Sequence, residues 1–431
     1  MENVSIGLLG LGTVGSGVVH IIHEHQDKLQ HQLGCHVEIK KILVKDMGKP
    51  RDIYLNGAVL TQDVNEIIDD PEIDVVIEVM GSVEDTKEYV KRALKNKKHI
   101  VTANKDMMAL YGNDLLELAH ENGSDFYYEA SVAGGIPIIR SLVDGLASDK
   151  LTKLMGILNG TTNFILTKMS QEGREYEDVL QEAQALGFAE ADPTSDVEGL
   201  DAARKLNILG ALGFSMKIDL DDVSVRGISN VTKNDLEFCH QLGYTMKLIA
   251  LAERTDGKVE VSVEPTLIPN EHPLATVNNE FNAIYVNGEA IGELMFSGPG
   301  AGSLPTATAV VSDLITVIKN MNLGVTGNSM TPPQFEKQLK SDDEIKAKYF
   351  IRLQAVDVPG TFAEITTLFG EQEISLEKVL QLPVANEALA EIVVTTYETK
   401  KSNFLKVLAS LNDSPAVKKI KSYYRIEGDV Y

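Results

Sequence analysis

The sequence predicts an α/β chain in three parts: a doubly wound parallel sheet, a mixed α+β domain, and a small ferredoxin-like α+β unit at the end. Three observations carry this. Residues 4–130 alternate short apolar strands with helical stretches. Residues 153–296 turn to short strands among longer mixed segments. Residues 349–426 read strand, helix, strand, strand, helix, strand. At 431 residues the chain is also too long for one core.

The first strand, residues 4–9 (VSIGLL), enters Gly10-Leu11-Gly12-Thr13-Val14-Gly15 and then the helical stretch VVHIIHEH. Strand, G-x-G-x-x-G and helix, in that order, make a dinucleotide fingerprint. The glycines permit a tight turn and let a pyrophosphate approach the N–H groups of the helix start. Residues 1–136, completed by 303–330, are therefore read as a Rossmann-type NAD(P)-binding domain. The strand 37–44 ends at Lys45-Asp46, where such folds read the adenosine ribose. Lys45 favours the 2′-phosphate of NADP, while Asp46 keeps NAD open. A third strand covers 74–80, a helix 84–96, and a strand 99–105 (HIVTANK). Lys105, at a strand's carboxyl end, either meets the nicotinamide ribose or substrate or merely caps a helix. The strand 125–130 runs into Ser131-Val132-Ala133-Gly134-Gly135-Ile136-Pro137, with a helix from about Pro137. Glu129 beside bare carbonyls could hold a monovalent cation; an ion-free elbow between domains is the other reading.

Residues 137–302 form the second domain. After the strand 153–159 come Gly160-Thr161-Thr162-Asn163 and a helix, then the stretch 183–205, AQALGFAEADPTSDVEGLDAARK. It gathers Glu190, Asp192, Asp196, Glu198, Asp201 and Lys205. Asp192-Pro193-Thr194-Ser195 is a helix-start cluster, and a helix is expected from about 197 to 212. Asp201 and Lys205 then lie four apart on one face. Carboxylates can bind a substrate ammonium, and a lysine can hand a proton to an oxygen; a solvated surface pair is the plain alternative. Short strands are read at 259–263, 283–286 and 291–296, and a sheet face there would suit a dimer. Residues 297–302 (SGPGAG) precede a helix over 305–319 that can bring the chain back to the nucleotide. Residues 320–347, with Thr331-Pro332-Pro333, read as polar and linker-like, the linker proper being 331–347. Residues 348–431 are read as a separate unit, and a chain cut before Tyr349 is expected to stay active.

A net charge of −23, from 40 basic and 63 acidic residues, argues against nucleic-acid or anionic-membrane binding, because no basic surplus exists to neutralise phosphates. Cys35 and Cys239 stand in no metal or redox spacing, which points to a reduced, cytoplasmic compartment. No signal peptide or membrane-spanning run is visible.

Taken together, Ala183, Gly187-Phe188-Ala189, Asp192-Pro193, Asp196, Gly199, Asp201 and Lys205, with LGLGTVGSGV, VTANK and Asn159-Gly-Thr-Thr-Asn163, resemble the homoserine dehydrogenases that carry a C-terminal ACT domain. The resemblance spans the whole chain. It implies NAD(P)-dependent interconversion of L-aspartate 4-semialdehyde and L-homoserine, in the biosynthesis of threonine, methionine and isoleucine. It assigns the middle domain to catalysis and dimerisation, in a homodimer or homotetramer. It implies Lys205 as proton donor, with Lys105 at the junction of cofactor and substrate. Glu190 and Asp201, and with them Asp196 and Thr161, would bind substrate. Gly10 to Gly15, Lys45, Gly187 and Gly302 would lie at the cofactor. Glu129, with the carbonyls of Val132, Gly134 and Ile136, would hold a monovalent cation, usually sodium. The ACT domain would bind an amino-acid effector, L-threonine, near residues 357–360. Where the family often has Arg, this chain has Lys45, a point charge rather than a fork. Two other classes share the frame. A semialdehyde dehydrogenase, or another small-carbonyl oxidoreductase of that kind, needs a nucleophilic thiol, and neither cysteine has a matching setting. A nucleotide-dependent amino-acid sensor has no use for a proton donor.

Overall fold

The run Asn3–Leu9 is buried on both faces from Ile6 to Leu9, as a strand covered by helices on each side requires. It lies near the middle of a six-stranded sheet ordered Val59–Thr61, His36–Leu43, Asn3–Leu9, Val75–Glu78, His99–Thr102 and Phe126–Tyr127. Every neighbouring pair is parallel. The order reverses beside Asn3–Leu9, so the crevice for a ligand opens at the carboxyl ends of that strand and of Val75–Glu78. The computed structural model describes residues 3–329, 332–384 and 388–428, so Thr331 of the expected linker lies outside the described residues. The chain divides into two compact units. The first comprises Met1–Leu151, Arg204–Asp222 and Asn282–Glu336; the second comprises Thr152–Ala203, Val223–Phe281 and Lys337–Tyr431.

In the first unit the helix Ser303–Leu323 buries Ala307, Val310, Leu314, Val317 and Ile318, a stripe at helical spacing, against the core of the parallel sheet. Two expectations change here. Val59–Thr61 was not foreseen, because three residues carry no readable periodicity. The strand read over 125–130 shrinks to Phe126–Tyr127, since Glu129–Ser131 turns into a single 3₁₀ loop. The helix read over 305–319 runs on to Leu323, and Gln334 and Phe335, within the residues read as linker, donate their N–H groups to Ser215 O.

The second unit is built on a hairpin of two twelve-residue strands, Tyr244–Thr255 and Lys258–Pro269. Asp256 and Gly257, both at positive φ, make its two-residue turn. The strand expected over residues 259–263 is therefore longer at both ends, and the Asp-Gly pair is the local signal of its turn. Leu151–Ile157 flanks the hairpin on one side; Val417–Ile426, Lys346–Val356, Leu389–Thr396 and Leu376–Pro383 follow in order on the other. These last four are the expected ferredoxin-like plan, with Thr361–Glu371 and Lys401–Asp413 on one face.

The C-terminal part is not a free module. Val417–Ile426 pairs with Lys258–Pro269 through Thr266↔Arg425 and Leu267↔Ile426, so one sheet continues through both. Arg425, 3% exposed, holds the buried carboxylates of Glu260 and Glu427, and Lys153 also reaches Glu427. Arg352 bridges Glu391 and Asp235, the latter at 2.9 Å. Burial alone would raise the Asp235 carboxyl, but hydrogen bonds from Ser422, Thr232 and Arg352 hold it below the usual range. Residues 338–340 also lie along Val259, whose N–H donates to Gln338 O at 2.8 Å.

Candidate active site

In the first unit, the glycines of the fingerprint are explained by their neighbours. Gly10 has φ +104, and a Cβ there would sit 2.9 Å from Val79 O. A Cβ on Gly15 would lie 2.2 Å from Gly10 O. At Gly12, by contrast, nothing lies within 4 Å, which leaves open space over the turn. Gly12 is the N-cap of the helix Thr13–Glu24, and no side chain caps it. The exposed N–H groups and the helix dipole there suit a phosphate. Leu11 and Val14 pack on the sheet core and hold the turn in place. Gly302, the N-cap of Ser303–Leu323, arrives at the same place: Ser303 Oγ donates to Thr13 O at 2.7 Å. Lys45 is exposed at the end of His36–Leu43. Asp46 turns back on its own loop, accepting from Gly48 N at 2.8 Å, and Arg51 donates to Asp46 O at 2.6 Å.

Lys105 is the first residue of the helix Lys105–Glu121, whose N-cap Asn104 accepts from Met107 N at 3.1 Å. Its neighbour Asp106 lies 3.0 Å from Arg204 Nε, the residue before Lys205. The helices carrying the two predicted lysines are thus joined by an ion pair one residue away from each.

The acidic stretch folds differently from the single helix expected. A four-residue turn, Thr194–Val197, ends at Gly199 (φ +81), and Leu200–Phe214 starts afresh. A Cβ on Gly199 would be 3.1 Å from Val263, so the break is set by packing as well as by φ. Asp201 therefore stands in a first helical turn, where the dipole favours negative charge, and Lys205 follows one turn later. Asn159, legible only as part of the Asn159–Asn163 motif and without a role of its own, organises the acids. It caps Gly160–Glu172 by accepting from Thr162 N at 2.9 Å, and its Nδ2 donates to Asp196 Oδ1 at 2.7 Å and Asp201 Oδ2 at 2.9 Å. The available signal was an Asn at a strand end just before a helix. Thr161 Oγ1 donates to Phe188 O at 2.6 Å and so holds the loop of Gly187 and Glu190. Gly187 (φ +78) follows the helix Tyr176–Ala185, and Glu190 is exposed.

Glu129 is 4% exposed, and both its oxygens accept backbone N–H groups, from Ile139 at 2.8 Å and Arg140 at 2.7 Å. Burial raises its carboxyl, partly offset by these bonds. Ala133 and Gly134 both have positive φ, and Gly134 packs on Gly300 O. Ile136 O accepts from Ile138 N. Among the described residues no cluster of three or more His, Cys, Asp or Glu is placed to hold a metal. Cys35 and Cys239 are both buried, and burial pushes both thiols up, which removes the nucleophilic-thiol reading. No described helix is long and apolar enough to cross a membrane.

Comparison with known proteins places the chain in a family. Residues 10–129 match the family model for the homoserine dehydrogenase NAD-binding domain, 137–315 the model for homoserine dehydrogenase, and 349–416 the ACT domain. A Bacillus subtilis homoserine dehydrogenase is 61% identical over 100% of this chain and 99% of its own length. A crystal structure of a homoserine dehydrogenase from Thiobacillus denitrificans superposes with a TM-score of 0.93 at 36% identity, covering 99% of each chain. A hyperthermophilic archaeal homoserine dehydrogenase in complex with NADPH aligns at 27% identity and TM-score 0.62, over 74% of this chain and 98% of its own. With a nucleotide-binding turn, an acid cluster and an ACT domain in place, the chain belongs to the homoserine dehydrogenase family of nicotinamide-dependent oxidoreductases.

Proposed function

We propose that this enzyme reversibly reduces L-aspartate 4-semialdehyde to L-homoserine with NADPH, in a cytoplasmic homo-oligomer. The observation that carries the reading is Asn159 drawing Asp196 and Asp201 together one helical turn before Lys205. Asp201 and Glu190 hold the substrate ammonium, with Asp196 and Thr161 shaping the pocket around it. Lys205 gives its proton to the aldehyde oxygen as negative charge grows there, and Lys105 supports that charge from the cofactor side. The bound nicotinamide supplies the hydride. The 1–136 domain with 303–330 binds it, residues 137–302 carry the substrate, 331–347 connect, and 348–431 regulate. NADP is favoured over NAD because Asp46 is spent on its own turn while Lys45 projects outward.

The Glu129 oxygens each accept one N–H bond and keep a further lone pair, and with the carbonyls of Val132, Gly134 and Ile136 they offer hard oxygens of the kind sodium takes. Such an ion would fix the loop rather than take part in the chemistry. L-Threonine is the effector proposed for the turn 357–360, which opens the uncapped helix Thr361–Glu371.

NADPH absorbance with aspartate semialdehyde as substrate tests the reading. Lys205→Ala should lose most of kcat and still bind NADPH; undiminished turnover would remove the proposed donor.

A further inference from the structure

The strand Val75–Glu78 ends three apolar buried residues with a carboxylate. Glu78 is 0% exposed. Packing alone would place a fourth apolar residue there, because a buried carboxyl is costly unless hydrogen bonds repay its lost hydration. Its partners show what it does instead. Oε1 accepts from Met80 N at 2.7 Å, and Oε2 accepts from Thr102 Oγ1 at 2.5 Å. Thr102 Oγ1 in turn accepts from Asn104 N at 3.0 Å. Asn104 Nδ2 donates to Ser82 O at 2.6 Å, which closes the ring, and Asn104 Oδ1 caps the helix that begins at Lys105. The ring ties the carboxyl ends of two neighbouring strands, Val75–Glu78 and His99–Thr102, beside the switch point of the sheet. It also touches the cofactor turn: Val79 N donates to Leu9 O at 2.9 Å, and Val79 O is the atom that leaves no room for a Cβ on Gly10.

We propose that Glu78 is a positioning residue for the reduction: through Thr102 and Asn104 it sets where the Lys105 helix begins, and through Met80 it sets the turn against Gly10. The inference rests on the role proposed for Lys105. The two carboxylate oxygens divide the work, one accepting from Met80 N–H and the other from the Thr102 hydroxyl. An amide here with its oxygen on Met80 N–H would turn the other contact round, its NH2 donating to Thr102 Oγ1 and the buried hydroxyl proton losing its acceptor. Burial pushes the Glu78 carboxyl up while the hydrogen bonds from Thr102, Met80 and Asn104 pull it down.

The test is a double-mutant cycle in the full-length enzyme, with rates normalised to sites titrated by NADPH. Glu78→Gln should lower kcat about tenfold or more by displacing Lys105 by a fraction of an ångström. Thr102→Val, which removes the relay hydroxyl at constant shape, should act the same way and serves if Glu78→Gln does not fold. In a Lys105→Ala background Thr102→Val should lower kcat no further, and Glu78→Gln should cost only the part that its Met80 contact contributes at the Gly10 turn. An impaired Lys105→Ala enzyme in which Glu78→Gln or Thr102→Val still costs its full factor overturns the positioning role alone. Parental kcat per bound NADPH in both Glu78→Gln and Thr102→Val overturns it too. Parental kcat in Lys105→Ala removes the role of Lys105 and, with it, this route.

Discussion

Replacing Asn159 with alanine should damage stability and substrate binding together. Asn159 is 5% exposed and makes hydrogen bonds in two directions. Its Oδ1 caps Gly160–Glu172, and losing such a cap costs about 1 kcal/mol. Its Nδ2 donates to Asp201, itself 5% exposed, and a hydrogen bond to a buried charged group is worth about 2 kcal/mol. The bond to Asp196 counts for less, because that residue is half-buried and water can replace the amide. The total of about 3 kcal/mol should appear as a clear fall in apparent Tm. KM for aspartate semialdehyde should rise more than kcat falls, since the change reaches first the acids proposed to bind the substrate ammonium. Asn159→Asp separates the two effects. It keeps the capping oxygen but sets a third carboxylate against two others. The folded pKa within that cluster then lies above its unfolded value, so the penalty is absent below about pH 4 and grows as pH rises through the folded pKa. Thermal unfolding by circular dichroism across pH, with steady-state kinetics, measures both. Parental Tm and KM in Asn159→Ala would refute the idea that this amide assembles the acid cluster.

Arg352→Leu removes a guanidinium that is almost fully buried between Asp235 and Glu391, and should cost about 3–5 kcal/mol in thermal or denaturant unfolding; a change within error would show the contact to be slack. A chain cut before Lys346 loses the Arg425 partner of Glu260 and the strand paired at Thr266, so soluble yield and Tm should fall along with any threonine response; a truncated enzyme of parental Tm would contradict this. Lys45→Glu should lower the ratio of kcat/KM with NADPH to that with NADH by about tenfold to a hundredfold, and an unchanged ratio would move the 2′-phosphate contact elsewhere. Asp313 is buried and its carboxyl is raised to about 7, with burial the main cause. Its folded value exceeds its unfolded one, so stability should decline as pH rises from about 4 through 7. Asp313→Asn should flatten that slope, and an identical pH–Tm curve would refute the assignment.

Much of this protein could be read directly from residue order. Gly10, Gly12 and Gly15 between an apolar run and a helix announce a nucleotide turn, because backbone sterics and helix dipoles act over a few residues. The shared helix of Asp201 and Lys205 could be read for the same reason: they lie four apart, and that spacing is local. What escaped were features made by residues far apart in the chain. The break at Gly199 answers to Val263. Asn159 meets acids 37 and 42 positions away. The C-terminal unit looked separate because its β-α-β-β-α-β pattern is complete in itself; only the fold pairs Arg425 with Glu260, 165 residues apart, and runs one sheet through both. Periodicity records which side of an element is buried, whereas the partner that buries it is chosen by three-dimensional packing, and that choice leaves no mark in the local sequence.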